Sequence, residues 1–156
     1  MNLMQFVFGA TPVRAPRPSA EPVLVRPPPG VRWRKVRHKQ GAPVRAWLAE
    51  SDGVLERKRG PLRYRRGDDY IVEYGDDDSA VVKRSIFERT YARRDDGRYE
   101  KRADIVYRCF TLPYPVLVRT LEGHQRAQPG DWIIEGVDGE LWPVRMAEAR
   151  RKYEPA

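Results

Sequence analysis

The stretch from Pro129 to Tyr153, PGDWIIEGVDGELWPVRMAEARRKY, carries turn, hairpin and helix signals in a fixed order, and that order restricts the folds open to the chain. Pro129-Gly130-Asp131 is a turn signal, because proline fixes φ, glycine accepts positive φ and aspartate bonds its own backbone. Asp138-Gly139 predicts a second reversal, a two-residue hairpin loop whose central positions take positive φ. Such a loop sets Ile133 opposite Val144 and Glu135 opposite Trp142, with Trp132, Ile134, Leu141 and Pro143 on the other face. Each face is then substantially apolar, so the hairpin has to be covered on both sides. A helix is predicted from about Met146, with Met146, Ala149 and Tyr153 on one face.

The same signals occur earlier at a constant spacing of 62 residues, without a gap. Identical residues recur at Val44/Val106, Val54/Val116, Leu55/Leu117, Arg57/Arg119, Asp69/Asp131, Ile71/Ile133, Glu73/Glu135, Asp76/Asp138, Val82/Val144, Arg89/Arg151 and Tyr91/Tyr153. The matches fall on inferred core pairs, which favours a tandem duplication, and two copies are better read as small domains than as a solenoid. Ser85-Ile86-Phe87-Glu88 has the form of a capping box and predicts a helix ending near Arg94. Asp95-Asp96-Gly97 then signals a turn and linker. The expected fold is β-rich α+β: two tandem small β-barrel-like or sheet-plus-helix repeats, each ending in a short helix, preceded by an extended proline-rich arm. The expected boundaries are an arm over 1–42 with 31–38 as a candidate strand, a first repeat over 43–94, a linker over 95–104 and a second repeat over 105–156.

From Val106 to Tyr153 the chain reads as an apolar strand, Thr120-Leu121-Glu122-Gly123, Pro129-Gly130-Asp131-Trp132-Ile133-Ile134, Gly136-Val137, Gly139-Glu140, Trp142-Pro143 and a last helix ending in tyrosine. In this it resembles a family of short proteins of bacteriophages, prophages and bacterial genomes. The resemblance implies a fold and a phage-like context, and it brings no catalytic residue. The first copy departs from the pattern, reading Gly67-Asp68-Asp69-Tyr70 and lacking the hairpin glycine.

The N-terminal 42 residues differ in kind from the rest. Seven of the 14 prolines lie between Pro12 and Pro29, a composition that favours extended polyproline conformation over a central strand. Arg14, Arg17, Arg26, Arg32, Arg34, Lys35, Arg37 and Lys39 stand against Glu21 alone, so the arm carries +7 of the chain's net +8. Its first residues include an apolar cluster, Leu3, Met4, Phe6, Val7 and Phe8, suited to an edge strand or to a groove in a partner. Around Trp33 the cations suit phosphate neutralisation and the indole suits base stacking. The competing reading is an entry strand with Val31 and Trp33 facing inward and the arginines in solvent. Removal of the arm is expected to leave a folded protein that has lost its partner.

Signals of chemistry are few. The carboxylates Asp76, Asp77 and Asp78 lack the spacing of a calcium loop and read as a solvated hairpin tip. His124 and the single cysteine, Cys109, are not brought together by any spacing, and a cysteine in an apolar strand reads as inert core. Asp69, Glu73, Asp131, Glu135 and His124 are the candidates for a polar site in the repeats, with turn-bonding aspartates and cross-strand glutamates as the alternative. No metal or cofactor is called for. The expected function is a non-enzymatic binding or adaptor protein whose basic arm docks an acidic partner, nucleic acid without sequence preference or protein. The alternatives are a virion component whose arm threads between subunits, and a small-molecule-binding or enzymatic domain. No apolar run approaches the roughly 18 residues of a membrane span, and a lone cysteine fits a reducing compartment, so a cytoplasmic or virion-associated location is expected.

Overall fold

Backbone pairing along the apolar runs organises most of the chain into strands, seen in a computed structural model that describes residues 21–75 and 78–156. In chain order the elements are β1 (Val23–Leu24), β2 (Arg34–His38), β3 (Arg45–Leu48), β4 (Gly53–Leu55), β5 (Leu62–Tyr64), β6 (Asp69–Gly75), β7 (Asp78–Lys83), α1 (Arg84–Thr90) and β8 (Tyr91–Arg93). They continue with β9 (Tyr99–Lys101), β10 (Val106–Phe110), β11 (Val116–Thr120), β12 (Gly123–Ala127), β13 (Trp132–Glu135), β14 (Leu141–Val144), α2 (Met146–Lys152) and β15 (Tyr153–Pro155). The protein is β-rich with two short helices and several small sheets, none of them closed into a barrel among the described residues. The largest is five-stranded, in the order β14-β13-β10-β2-β15, and a three-stranded sheet runs β3-β6-β7. Among the described residues no helix is long and apolar enough to cross a membrane.

Three apolar clusters hold these sheets. One gathers Val36, Tyr107, Cys109, Trp132, Ile134, Ala149 and Tyr153. A second, on the opposite face of the large sheet, gathers Phe110, Leu112, Val116, Val118, Ala127, Ile133 and Leu141 beneath Leu24, Val31 and Trp33. The third stacks Tyr70 on Phe87 and Phe87 on Tyr91, with Val44 and Val72 alongside. The β13–β14 hairpin is therefore covered on both faces, as its composition requires.

Its register differs from the sequence expectation by one residue. Trp132 faces Val144, Ile133 faces Pro143, Ile134 faces Trp142 and Glu135 faces Leu141. The cause is the loop. The Gly136 amide donates to the Glu140 carbonyl at 2.8 Å and the Gly139 amide to the Gly136 carbonyl at 3.0 Å, leaving three residues in the turn with Gly139 at φ 79°. A turn followed by a left-handed glycine is the standard three-residue hairpin closure, and the slip moves every β14 side chain to the other face. Trp142 and Val144 thus join Trp132 and Ile134, while Leu141 joins Ile133.

Within the N-terminal segment, the candidate strand over 31–38 is realised at residues 34–38, a central strand of the large sheet flanked by β10 and β15, so this part of the arm is core structure. Deleting residues 1–42 would remove that strand, contrary to the expectation that the truncated protein folds. The expected linker contains β9, paired antiparallel with β8. Arg14, Arg17 and the Leu3–Phe8 cluster, expected in the arm, and Asp76 and Asp77, expected at a hairpin tip, lie outside the described residues.

Helix boundaries shift for local reasons. Ser85 lies inside α1, which has no side-chain cap; the Arg84 amide instead donates to the Asp68 carbonyl at 2.8 Å. The helix stops at Thr90, because Tyr91 is already extended and paired with β9. Likewise α2 stops at Lys152, so Tyr153 packs from a strand, and Met146 is exposed. Two identical pairs stand in unlike settings: Val44 is 9% exposed against 54% for Val106, and Val54 48% against 1% for Val116.

Candidate binding surface

Alternation along β2 sorts the basic residues onto two faces of the large sheet. Val36 is buried and His38 packs edge-on against Tyr153, with ring centres 4.9 Å apart. Arg34 shares that face and lays its guanidinium 4.4 Å above the Trp132 ring. Lys35 and Arg37 project from the opposite face. Next to them on β10 stand Arg108, in register with Lys35, and Val106, in register with Arg37. These cations form a flat exposed strip rather than a pocket.

The strip is edged by carboxylates. Arg37 Nε donates to Glu154 Oε1 at 2.9 Å, and Arg108 Nη2 donates to Glu135 Oε1 at 2.7 Å. Both pairs are solvent-exposed at the arginine, where such bridges contribute little to stability. Arg108 also covers the Trp33 ring at 4.1 Å, and that ring packs edge-on against Phe110 at 5.1 Å. An indole held between a guanidinium and a core phenyl ring is not presented to a base, so the entry-strand reading of Trp33 accounts for its position. Arg26, Arg32 and Lys39 are exposed, and Lys39 Nζ donates to the Arg150 carbonyl at 3.2 Å.

The candidate polar residues of the repeats serve local structure. Asp69 Oδ2 accepts the Arg65 amide at 2.8 Å, and Asp131 Oδ2 accepts the Gln128 amide at 2.9 Å. These are the turn bonds that aspartate favours. Glu135 is the cross-strand partner of Arg108, and Glu73 is that of Arg45. His124 lies exposed on β12, whereas Cys109 is sealed in the core of the large sheet, where burial pushes its thiol up. The candidates are thus spread over separate turns and strands. A shallow depression at the start of α1 is lined among others by Arg65, Asp68, Asp69, Lys83, Arg84 and Glu88. Its Arg84 Nε donates to Glu88 Oε1 at 2.8 Å, a bond that raises the guanidinium further.

Sequence reasoning did not single out a group of titratable residues beside the central strands. Burial and the nearby Lys101 ammonium lower His38 to about 4. Lys101, which lies 5.8 Å over the Tyr91 ring, is itself lowered to about 8 by burial and by Lys152. Burial likewise raises Tyr91, whose hydroxyl lies 3.3 Å from that of Tyr74. His38 and Lys101 each stand opposite a tyrosine across their sheets, a pairing that no local pattern in the sequence announces.

No protein-family model, curated protein or solved structure matches the chain.

Proposed function

We propose that the chain is a non-enzymatic binding protein, built from two copies of one sheet-and-helix unit and engaging an acidic macromolecular partner through its basic N-terminal strand region. The observation that carries the reading is the flat strip of Lys35, Arg37 and Arg108, exposed side by side on a sheet face. A flat charged face suits a macromolecule, whereas small ligands favour concave, largely apolar sites. The fold and context of phage and prophage proteins implied by the sequence resemblance agree with a binding role and remain part of the proposal.

The duplication is supported by core composition once a single gap is admitted. From Asp69 onward the spacing is 62, as in Tyr70/Trp132, Val72/Ile134, Phe87/Ala149 and Tyr91/Tyr153. Before Asp68 it becomes 63, pairing Val44 with Tyr107 and Ala46 with Cys109, which accounts for the unlike settings of Val44 and Val106. Asp68 is the extra residue, following the turn glycine. Gly67 donates to the Ala49 carbonyl at 2.9 Å and Gly130 to the Leu112 carbonyl at 3.0 Å, both with positive φ.

Binding is tested by fluorescence anisotropy with duplex DNA, single-stranded DNA and RNA across a salt series. The strip cations Lys35, Arg37 and Arg108 with the exposed Arg26, Arg32 and Lys39 would together contribute a slope of log K against log salt of up to about −5.4 on duplex DNA, at roughly −0.9 per phosphate. A slope near −3 is expected, with Lys35→Glu and Arg37→Glu together weakening binding by about tenfold or more. A slope that ignores both reversals would sink the strip as the binding face. Failure to bind any of the three probes at low salt assigns the acidic partner to protein.

A further inference from the structure

We propose that the two units are completed by reciprocal strand exchange within one chain, so that the slot between the first and last strands of each unit is a docking surface for the lead-in strand of the other. Strand β2 precedes the first unit in sequence, yet it lies between β10 and β15 of the second. There Val36 faces Tyr107 and His38 faces Tyr153. Strand β9 precedes the second unit, yet it pairs with β8 of the first, Lys101 facing Tyr91, and Tyr99 bridges Val44.

The proposal rests on reading the units as copies, because the exchange is visible in the correspondence. At the spacing of 63 that holds before Asp68, Val36 corresponds to Tyr99, His38 to Lys101 and Val44 to Tyr107. Each lead-in strand thus meets the counterpart of what the other meets. Loop hydrogen bonds repeat the swap. As the chain leaves β2, the Lys39 amide donates to the Lys152 carbonyl of the second unit at 2.8 Å. As it leaves β9, the Arg102 amide donates to the Thr90 carbonyl of the first at 2.9 Å. Beyond the last strands, the Ala156 amide donates to the Lys35 carbonyl at 3.1 Å and the Arg94 amide to the Arg98 carbonyl at 2.7 Å.

The physical reason for the exchange is edge satisfaction. Without β2, the facing edges of β10 and β15 would carry unpaired amides and carbonyls, and Tyr107, Cys109 and Tyr153 would lose Val36 from their cluster. Tyr99 plays the corresponding part beside Val44, Phe87 and Tyr91. Exchange of an identical element is a low-cost way to join two like units, because the contacts are those the unit already makes. The chemistry that fits each slot is therefore a lead-in strand of this same sequence type, with an apolar residue facing the first strand and a polar residue opposite the closing tyrosine.

The test uses the full chain with a protease site placed in the exposed turn at Asp95–Gly97, between β8 and β9. Two cysteine pairs are compared, the first spanning the cut and the second lying wholly before it. Arg37→Cys with Val106→Cys joins β2 to its partner in the second unit, at positions in register. Arg37→Cys with Pro43→Cys joins β2 to the lead of β3, where a self-completed first unit would place it. Cross-strand positions lie within reach of a disulfide, and single-cysteine variants control for Cys109. After oxidation and cleavage, the first pair is expected to hold the two pieces together at full-length size without reductant; the second pair lies wholly within the N-terminal piece, and its two thiols are expected to stay free, as read by alkylation and mass of that piece. Linkage by the second pair alone overturns the exchange while leaving two self-completed copies. Linkage by neither overturns the exchange and also removes β2 from the repeated unit, and linkage only between different chains overturns exchange within one chain.

Discussion

Tyr153 shows how a single side chain secures the large sheet. It is buried, lies edge-on to Tyr107 and His38, and shares a cluster with Trp132 and Ala149. Tyr153→Ala should therefore cost about 3 kcal/mol in a denaturant titration, through lost burial and a residual cavity. An unchanged midpoint would mean that the ring contributes no core packing. Against the same ring, His38 is held neutral, with a folded-state pKa of about 4 against an ordinary 6.5. Because folding lowers this pKa, the unfolded chain binds the extra proton. Stability is full above pH 6.5 and falls as pH drops toward 4, by roughly 1–2 kcal/mol from this group once screening of the partly exposed ring is allowed for. Carboxylates add their own acid dependence, so the informative measurement is the difference from His38→Asn, whose unfolding free energy should lose less between pH 7 and pH 4.5. Equal losses in both proteins would show that the histidine charges freely in the fold. The role of Tyr153 was legible in the sequence, as an apolar position recurring 62 residues after Tyr91. The burial of His38 was not, because a histidine among five cations reads as solvated until its strand has neighbours on both sides.

At the scale of elements, short-range signals were read better than pairings. Turn glycines, the apolar runs and the existence of both helices follow from local chemistry. The hairpin register did not, since Asp138-Gly139 suits a two-residue loop and the three-residue loop alike, and the choice lies with the Gly136–Glu140 pairing. The identity of Val54 and Val116 misled as well, because the two match in type and not in placement, one exposed and the other buried. On the proposed duplication, matching Gly67 with Gly130 as turn glycines locates the gap. Strand β2 was the hardest to read, because its long-range partners begin at Val106, far along the chain. Its consequence is specific. Removing residues 1–42 opens the large sheet between β10 and β15, and the product is expected to lose cooperative unfolding and to bind hydrophobic dyes. Val36→Ala in the full chain should cost roughly 1–3 kcal/mol and keep the fold. A truncated protein with native near-ultraviolet dichroism would show that β2 is dispensable.

For the whole molecule, the two halves share more than a surface. Arg57 Nη2 donates to Glu122 Oε2 at 3.2 Å and Arg89 Nη2 to the Val137 carbonyl at 3.2 Å, polar contacts between the two units proposed above. Contacts of this kind alone would permit each unit to unfold by itself, since inter-domain interfaces are often modest. Strand pairing across the units changes the expectation. Unfolding the first unit releases β9 and pulls on the segment that carries β2, so the second unit loses a central strand's anchorage and its own edge protection. Coupled in this way, the halves should melt as one two-state transition. Phe87 is the place to test it, because its ring is 1% exposed, stacks on Tyr70 and Tyr91 and packs edge-on against Tyr99 of β9, far from Trp132 and Trp142 in sequence. Phe87→Ala should cost about 3–5 kcal/mol and shift the whole transition. Fluorescence of Trp132 and Trp142 in the second unit is the probe, with Trp33 and Trp47 replaced by Phe in both proteins compared. The second-unit signal is expected to move to lower denaturant together with far-ultraviolet dichroism. If those tryptophans keep their original midpoint while dichroism splits into two steps, the units fold independently and the shared strands carry no coupling.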